Sequence, residues 1–197
     1  MRVQGLTPSQ TVGPYFSMRL AQPGENNLVG TETVGDRIRL EGRILDGDGR
    51  PIEDGLIELW QPNASGRFRH SSDDRGDFAL DPHFTGFGRA MTDFATGVYR
   101  FDTIRPGRIP DLEGELQAPH LNLIVQARGM LRPSFTRVYF PDEAEANSHD
   151  LVLRTVPAHR RSTLIANLID DSHMATFGFD IHFQGEAETV FFEYGAL

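Results

Sequence analysis

Polar and apolar positions alternate strictly at the start of the main body of the chain. Ile38, Leu40, Gly42 and Ile44 share one parity, and Arg37, Arg39, Glu41 and Arg43 share the other. A period of two sends successive side chains to opposite faces, so this run predicts a half-buried β-strand. It stops at Asp46-Gly47-Asp48-Gly49, whose glycines accept positive φ at little cost. A second run, Gly55-Leu56-Ile57-Glu58-Leu59-Trp60, follows a long connection containing Pro51. Further runs of strand character cover residues 98–101, 121–125, 136–140 and 177–183. In the last, Phe177, Phe179, Ile181 and Phe183 face one way, and Gly178, Asp180, His182 and Gln184 the other. Six or more strands punctuated by turn residues predict an all-β fold, an antiparallel β-sandwich with short helical turns in its loops. One such turn is expected at residues 142–147, and residues 160–170 fit helix and strand equally well.

Residues 1–35 carry a different pattern. Pro8, the Gly13-Pro14 step and Pro23-Gly24 interrupt any periodicity, which predicts an extended N-terminal arm rather than another strand. Tyr15, Phe16, Met18 and Leu20 give that arm an apolar surface in need of a partner. The expected organisation is an arm over residues 1–35 and a sandwich domain over residues 36–197.

Composition narrows the function classes. The 197 residues include no cysteine, which excludes thiolate nucleophiles, cysteine-ligated zinc and iron–sulfur clusters. No stretch approaches the roughly 20 apolar residues of a membrane helix, and the N-terminal segment lacks the apolar run of a signal peptide. These features predict a cytoplasmic protein that is not membrane-bound. A formal charge of −9 disfavours nucleic acid as a partner. The arginine pairs Arg67/Arg69 and Arg160/Arg161 are read as solvated or ion-paired faces.

Seven segments, in order, carry a resemblance. They are residues 7–16, Ile57-Glu58-Leu59-Trp60-Gln61-Pro62, Gly66-Arg67-Phe68-Arg69-His70, Phe101-Asp102-Thr103-Ile104-Arg105-Pro106-Gly107, Ala118-Pro119-His120-Leu121-Asn122-Leu123, Arg137-Val138-Tyr139-Phe140 and residues 179–185. Together they resemble the intradiol ring-cleavage dioxygenases, with the Glu-Leu-Trp-Gln and Thr-Ile-Arg-Pro-Gly steps the most specific. Residues 126–130 and 184–194 look like the α chains of those family members that cleave protocatechuate and are built from two related subunits, α and β. The resemblance implies a homologous β subunit as partner in an αβ heterooligomer. It also implies protocatechuate and O2 as substrates, 3-carboxy-cis,cis-muconate as product, and Fe3+ as cofactor.

The family's catalytic chains hold ferric iron with two tyrosinates and two histidines, and hard phenolate oxygens suit that ion. The histidines form a His-x-His step, which a strand presents on one face. Here the step reads His120-Leu121-Asn122, so the second imidazole is replaced by an amide. Phe68 stands where the first tyrosine is expected, and Ile109 is the counterpart of the second. The resemblance therefore implies that the iron is held by the β subunit and not by this chain, which supplies neither metal ligands nor catalytic residues. His120 is read as a buried, hydrogen-bonded histidine rather than as a ligand. By the same resemblance, Gly13, Pro14 and Tyr15 of the arm, together with Arg128, are the candidate substrate-binding residues. They would close a pocket at the αβ boundary. The plainer readings are a backbone kink for Gly13-Pro14, arm packing for Tyr15 and an intersubunit ion pair for Arg128. A self-sufficient dioxygenase is disfavoured by Phe68 and Asn122. A non-enzymatic sandwich module binding a ligand or protein is the alternative.

Overall fold

The computed structural model describes residue 13, residues 20–111 and residues 113–193. The strict alternation noted first becomes β1 (Arg37–Leu45), with Ile38, Leu40 and Ile44 buried and the arginine parity facing out. It pairs antiparallel with β4 (Val98–Ile104). On its other side it pairs in parallel with β8 (Ala175–Gly178) and β9 (Ile181–His182), and β8 is flanked by β7 (Asn167–Asp170). The second sheet runs β3 (Phe87–Met91), β2 (Leu56–Trp60), β5 (His120–Gln126), β6 (Ser134–Tyr139), all antiparallel.

The sandwich is thus as expected, except that one sheet is mixed. The chain reaches β8 only after crossing from β6, and such a crossover permits parallel pairing where a hairpin would not. The crossover consists of α1 (Ala144–His149), α2 (Leu151–Thr155) and a 3-10 helix (Ala158–Leu164). The open segment at residues 160–170 therefore divides, its first half helical and its last part β7. The segment at residues 177–183 is not one strand. Between β8 and β9 the backbone presses onto Gly42, whose absent Cβ would lie 1.9 Å from the Phe179 carbonyl oxygen. Here the Asp180 carboxylate takes the Arg43 N–H at 2.8 Å, replacing a ladder bond while the register is kept.

Between the sheets lies one core, with Leu40, Phe101, Phe177 and Ile181 on one side and Ile57, Leu59, Leu121, Leu123 and Val138 on the other. Tyr99 and Tyr139 are fully buried. The Tyr99 hydroxyl donates to the Phe179 carbonyl at 2.6 Å. Residues 25–29 bridge the edges of both sheets. Leu28 donates to the Asp102 carbonyl, Asp102 to that of Asn26, and Arg89 of β3 to that of Glu25. Gly88 makes this possible, because a Cβ there would meet the Glu25 oxygen at 2.6 Å.

Candidate functional site

The residues singled out as relict ligand positions gather on the outer face of the second sheet. Cross-strand pairing aligns Phe87, Trp60, Asn122 and Arg137 in one row across its four strands. Directly opposed residues share a face. His120 stands in the next row of that face, opposite Tyr139, with ring centroids 5.6 Å apart. Phe68 comes from the loop after β2 and stacks on Trp60, with centroids 5.7 Å apart and planes 9° from parallel.

That loop is held by a single buried side chain. Asn63 accepts from the Ser65 and Arg67 N–H groups and from the Ser65 hydroxyl, and donates to the Ala79 carbonyl. Phe68 is fixed in turn by Asp73, which accepts its N–H at 2.8 Å and two bonds from Arg75. The Arg75 bonds hold the Asp73 carboxyl down to about 2. Gly107 brings the fourth position near, since its N–H donates to the Asn63 carbonyl and a Cβ would strike the Ala64 oxygen. Two residues on, the Ile109 carbonyl accepts from Gln117 N–H, three residues before His120. The two most specific sequence steps are themselves bonded. Thr103 donates to the Gln61 side-chain oxygen at 2.6 Å, and the Gln61 amide donates to the Ile104 carbonyl at 3.0 Å.

His120 is 2% exposed. Its Nδ1 lies 2.8 Å from the Ala118 carbonyl, which can only accept, so Nδ1 carries the proton and Nε2 a lone pair. That Nε2 is buried and, among the described residues, has no partner. Burial, reinforced by the Arg137 charge, pushes the imidazole down to about 4, so it is neutral at ordinary pH. Beside it, Tyr139 donates to Asp150 at 3.1 Å, and Asp150 also accepts from Ala118 N–H and Leu153 N–H. Asp150 thereby caps α2 and anchors the strand that carries His120.

The ferric site of the family does not fit these side chains. One imidazole, a carboxamide whose nitrogen donates to the Trp60 carbonyl at 3.3 Å, a phenyl ring and an aliphatic chain offer a hard trivalent ion one nitrogen and no phenolate. Sequence reasoning did not find Arg137, Gln117 and Asp150, whose side chains complete this face. The available signal was Arg137 itself, a charged residue in an apolar strand run whose parity places it beside Asn122.

Of the predicted substrate-binding residues, Gly13 and Arg128 are among the described residues. Gly13 has φ +75, with open space where a Cβ would stand. Pro14 and Tyr15 fall outside the described residues. Arg128 sits in the turn between β5 and β6, at the opposite end of β5 from His120, about 20 Å along the strand. Its side chain is 67% exposed and pairs with Asp54 of the same chain at 2.8 Å. Arg128 and His120 do not belong to one pocket of this chain.

The sequence profile of a family described as Dioxygenase matches residues 11–185. The protocatechuate 3,4-dioxygenase α chain of Burkholderia cepacia is 41% identical, over 95% of this chain and 96% of that one. The α chain of Pseudomonas putida is 37% identical over the same shares. The β chain of the Burkholderia cepacia enzyme is 34% identical, over 84% of this chain and 72% of its own length. Among solved structures, the dioxygenase domain of a carbohydrate-binding fusion protein from Streptomyces sp. SirexAA-E superposes with a TM-score of 0.58 at 25% identity, covering 93% of this chain and 99% of that one.

Proposed function

The chain belongs to the intradiol ring-cleaving dioxygenase family, and from that premise we propose that it is the α chain of a two-subunit protocatechuate 3,4-dioxygenase. The observation that carries this reading is near-complete coverage of α chains at 41% identity, together with a relict centre stripped of its donors. A homologous β chain is the partner, protocatechuate and O2 are the substrates, and 3-carboxy-cis,cis-muconate is the product. The family uses non-haem iron, and in this complex the β chain holds it as Fe3+, through phenolates and imidazoles that this chain lacks. Bound there, the iron supplies activation of the catecholate towards O2.

This chain's share is to frame and close the partner's pocket. Gly13, Pro14 and Tyr15 enter it as an arm, glycine permitting close backbone approach, proline fixing the path and tyrosine adding an aromatic wall. Arg128 presents a guanidinium to the substrate carboxylate. Its exposure supports this role, and so does its distance from the relict face of its own chain. Among the described residues no helix is long and apolar enough to cross a membrane, which accords with action in the cytoplasm.

The test is to prepare the full chain with and without a candidate β chain. The pair should take up O2 with protocatechuate and contain one iron per αβ unit. The chain alone should hold no iron and show no tyrosinate colour. Stoichiometric iron in the chain alone would refute the assignment.

A further inference from the structure

We propose that Arg137 bars metal ions from the relict centre of this chain, so that metal in the two-chain complex is directed to the partner. The inference rests on reading this chain as the iron-free subunit. It goes further by assigning the exclusion to a charge and not only to missing ligands.

One nitrogen donor remains at that site. His120 keeps a buried lone pair on Nε2, the kind of nitrogen that copper, nickel and zinc prefer. Beside it the face offers Asn122, which shares its strand and its side of the sheet. What differs in kind from a metal centre is the fourth member of the central row. Arg137 lies directly across from Asn122, and its Nη1 donates to the Gln117 side-chain oxygen at 2.9 Å and reaches the Tyr139 hydroxyl at 3.4 Å. Both partners are uncharged. Among the described residues no carboxylate comes within ion-pair distance of the guanidinium, and its Nε is buried without a partner. Asp150, the acid of this neighbourhood, is occupied by Tyr139 and two backbone N–H groups.

A guanidinium cannot shed its proton, so a full positive charge stands permanently beside the remaining donor. The charge is felt there. After burial, it is the next cause pushing His120 towards its neutral form, and it is the leading cause opposing the burial that raises Tyr139. Any cation entering beside Nε2 meets the same field, multiplied by its own charge, in surroundings that screen poorly.

The experiment restores one donor and varies the charge in the full chain. Asn122→His supplies an imidazole pair on one strand face, and Cu2+ and Zn2+ affinities are measured by competition with a chelator. Adding Arg137→Gln should tighten binding by about tenfold or more, as expected for removing an unscreened like charge. Adding Arg137→Lys, which keeps the charge and loses the fork, should leave binding as weak as in Asn122→His alone. Equal affinities with Arg137 and with Gln, no binding in either, or Lys behaving as Gln would each overturn the proposal. Circular dichroism of each variant reports folding, and Arg137→Met, of similar length and neutral, replaces the Gln variant if that one unfolds. Iron per αβ unit in the unaltered complex separates the two readings. One iron with equal affinities removes only the role of Arg137, whereas two irons would overturn the assignment of this chain as well.

Discussion

Acidification should destabilise this chain through one imidazole. Neutral His120 is buried with its single N–H committed to Ala118 and a guanidinium nearby, so the folded state resists taking up a second proton. In the unfolded chain the same ring titrates near 6.5, against about 4 in the fold. Between those values the unfolded state binds more protons, so stability rises with pH across the window. The contribution is intact above about 6.5, declines as pH falls, and is fully lost below about 4. At about 1.4 kcal/mol per unit, the window is worth about 3 kcal/mol, a large part of a typical domain's stability of about 5–15 kcal/mol. Urea titrations of the full chain at intervals from neutral pH down to 4 would measure it, with His120→Gln as the reference that cannot titrate. Wild type minus variant isolates the imidazole from the carboxylates, which titrate alike in both. The difference should shrink steadily below pH 6.5, and the His120 ring resonances of the folded protein should not shift in the same range. Parallel curves, or a folded His120 titrating near 6.5, would refute the account of the site as a buried neutral histidine.

Four other substitutions examine the framework and the proposed role. Gly42→Ala puts a methyl group into the Phe179 carbonyl, a clash no side-chain rotation relieves, and should cost at least about 3 kcal/mol by denaturant midpoint. In the assembled complex, Tyr15→Ala and Arg128→Ala should lower turnover of protocatechuate while iron content and assembly stay intact. The Arg128 effect, roughly 1.5–3 kcal/mol for one charge-assisted contact, should shrink with catechol, which lacks the carboxylate. Asp54→Asn is the control: if Arg128 matters only through its ion pair with Asp54, that variant reproduces the loss and the substrate role fails.

The sequence displays its strands where burial is one-sided, and hides them where the packing partner is not another sheet. β1 reads cleanly because one parity enters the core and the other carries Arg39 and Glu41, which pair with Asp102 and Arg100 across to β4. β3 gives almost no signal, because its inward positions are Gly88 and Ala90, small to admit the arm at residues 25–28. The break between β8 and β9 is equally silent, since the apolar alternation continues through Phe179 while a side chain of Asp180 takes over the ladder. For the candidate site, resemblance singled out His120 and Asn122, and their i, i+2 spacing placed them on one face of a strand. Phe68 and Ile109 came from resemblance, and the loop bonds of Asn63 and Gly107 then bring their segments to the same end of the sheet. Gln117 had no local signature, because its role depends on a partner 20 residues away, whereas Asp150 is locally the N-cap of α2 and joins this face only through Tyr139 and Ala118, 11 and 32 residues away.

This placement also explains why residues at the family's ligand positions can differ without disturbing the fold. All the positions in question lie on the outer face of the second sheet or in loops above it. The core between the sheets is built from the opposite parity of the same strands, Leu121 and Leu123 on β5 and Val138 on β6. Because side chains one residue apart point to opposite faces, substitutions at His120, Asn122 and Arg137 positions leave core packing almost untouched. The consequences of such differences fall instead on the polar groups of this face, and there the structure responds locally. Trp60 and Phe68 close the face with a stacked pair, Asn122 turns its amide to the Trp60 carbonyl, and Asp150 gathers the Tyr139 hydroxyl with two backbone donors. Among the described residues, Nε2 of His120 and Nε of Arg137 stay without a partner on this face, and they mark where it still departs from a fully satisfied surface.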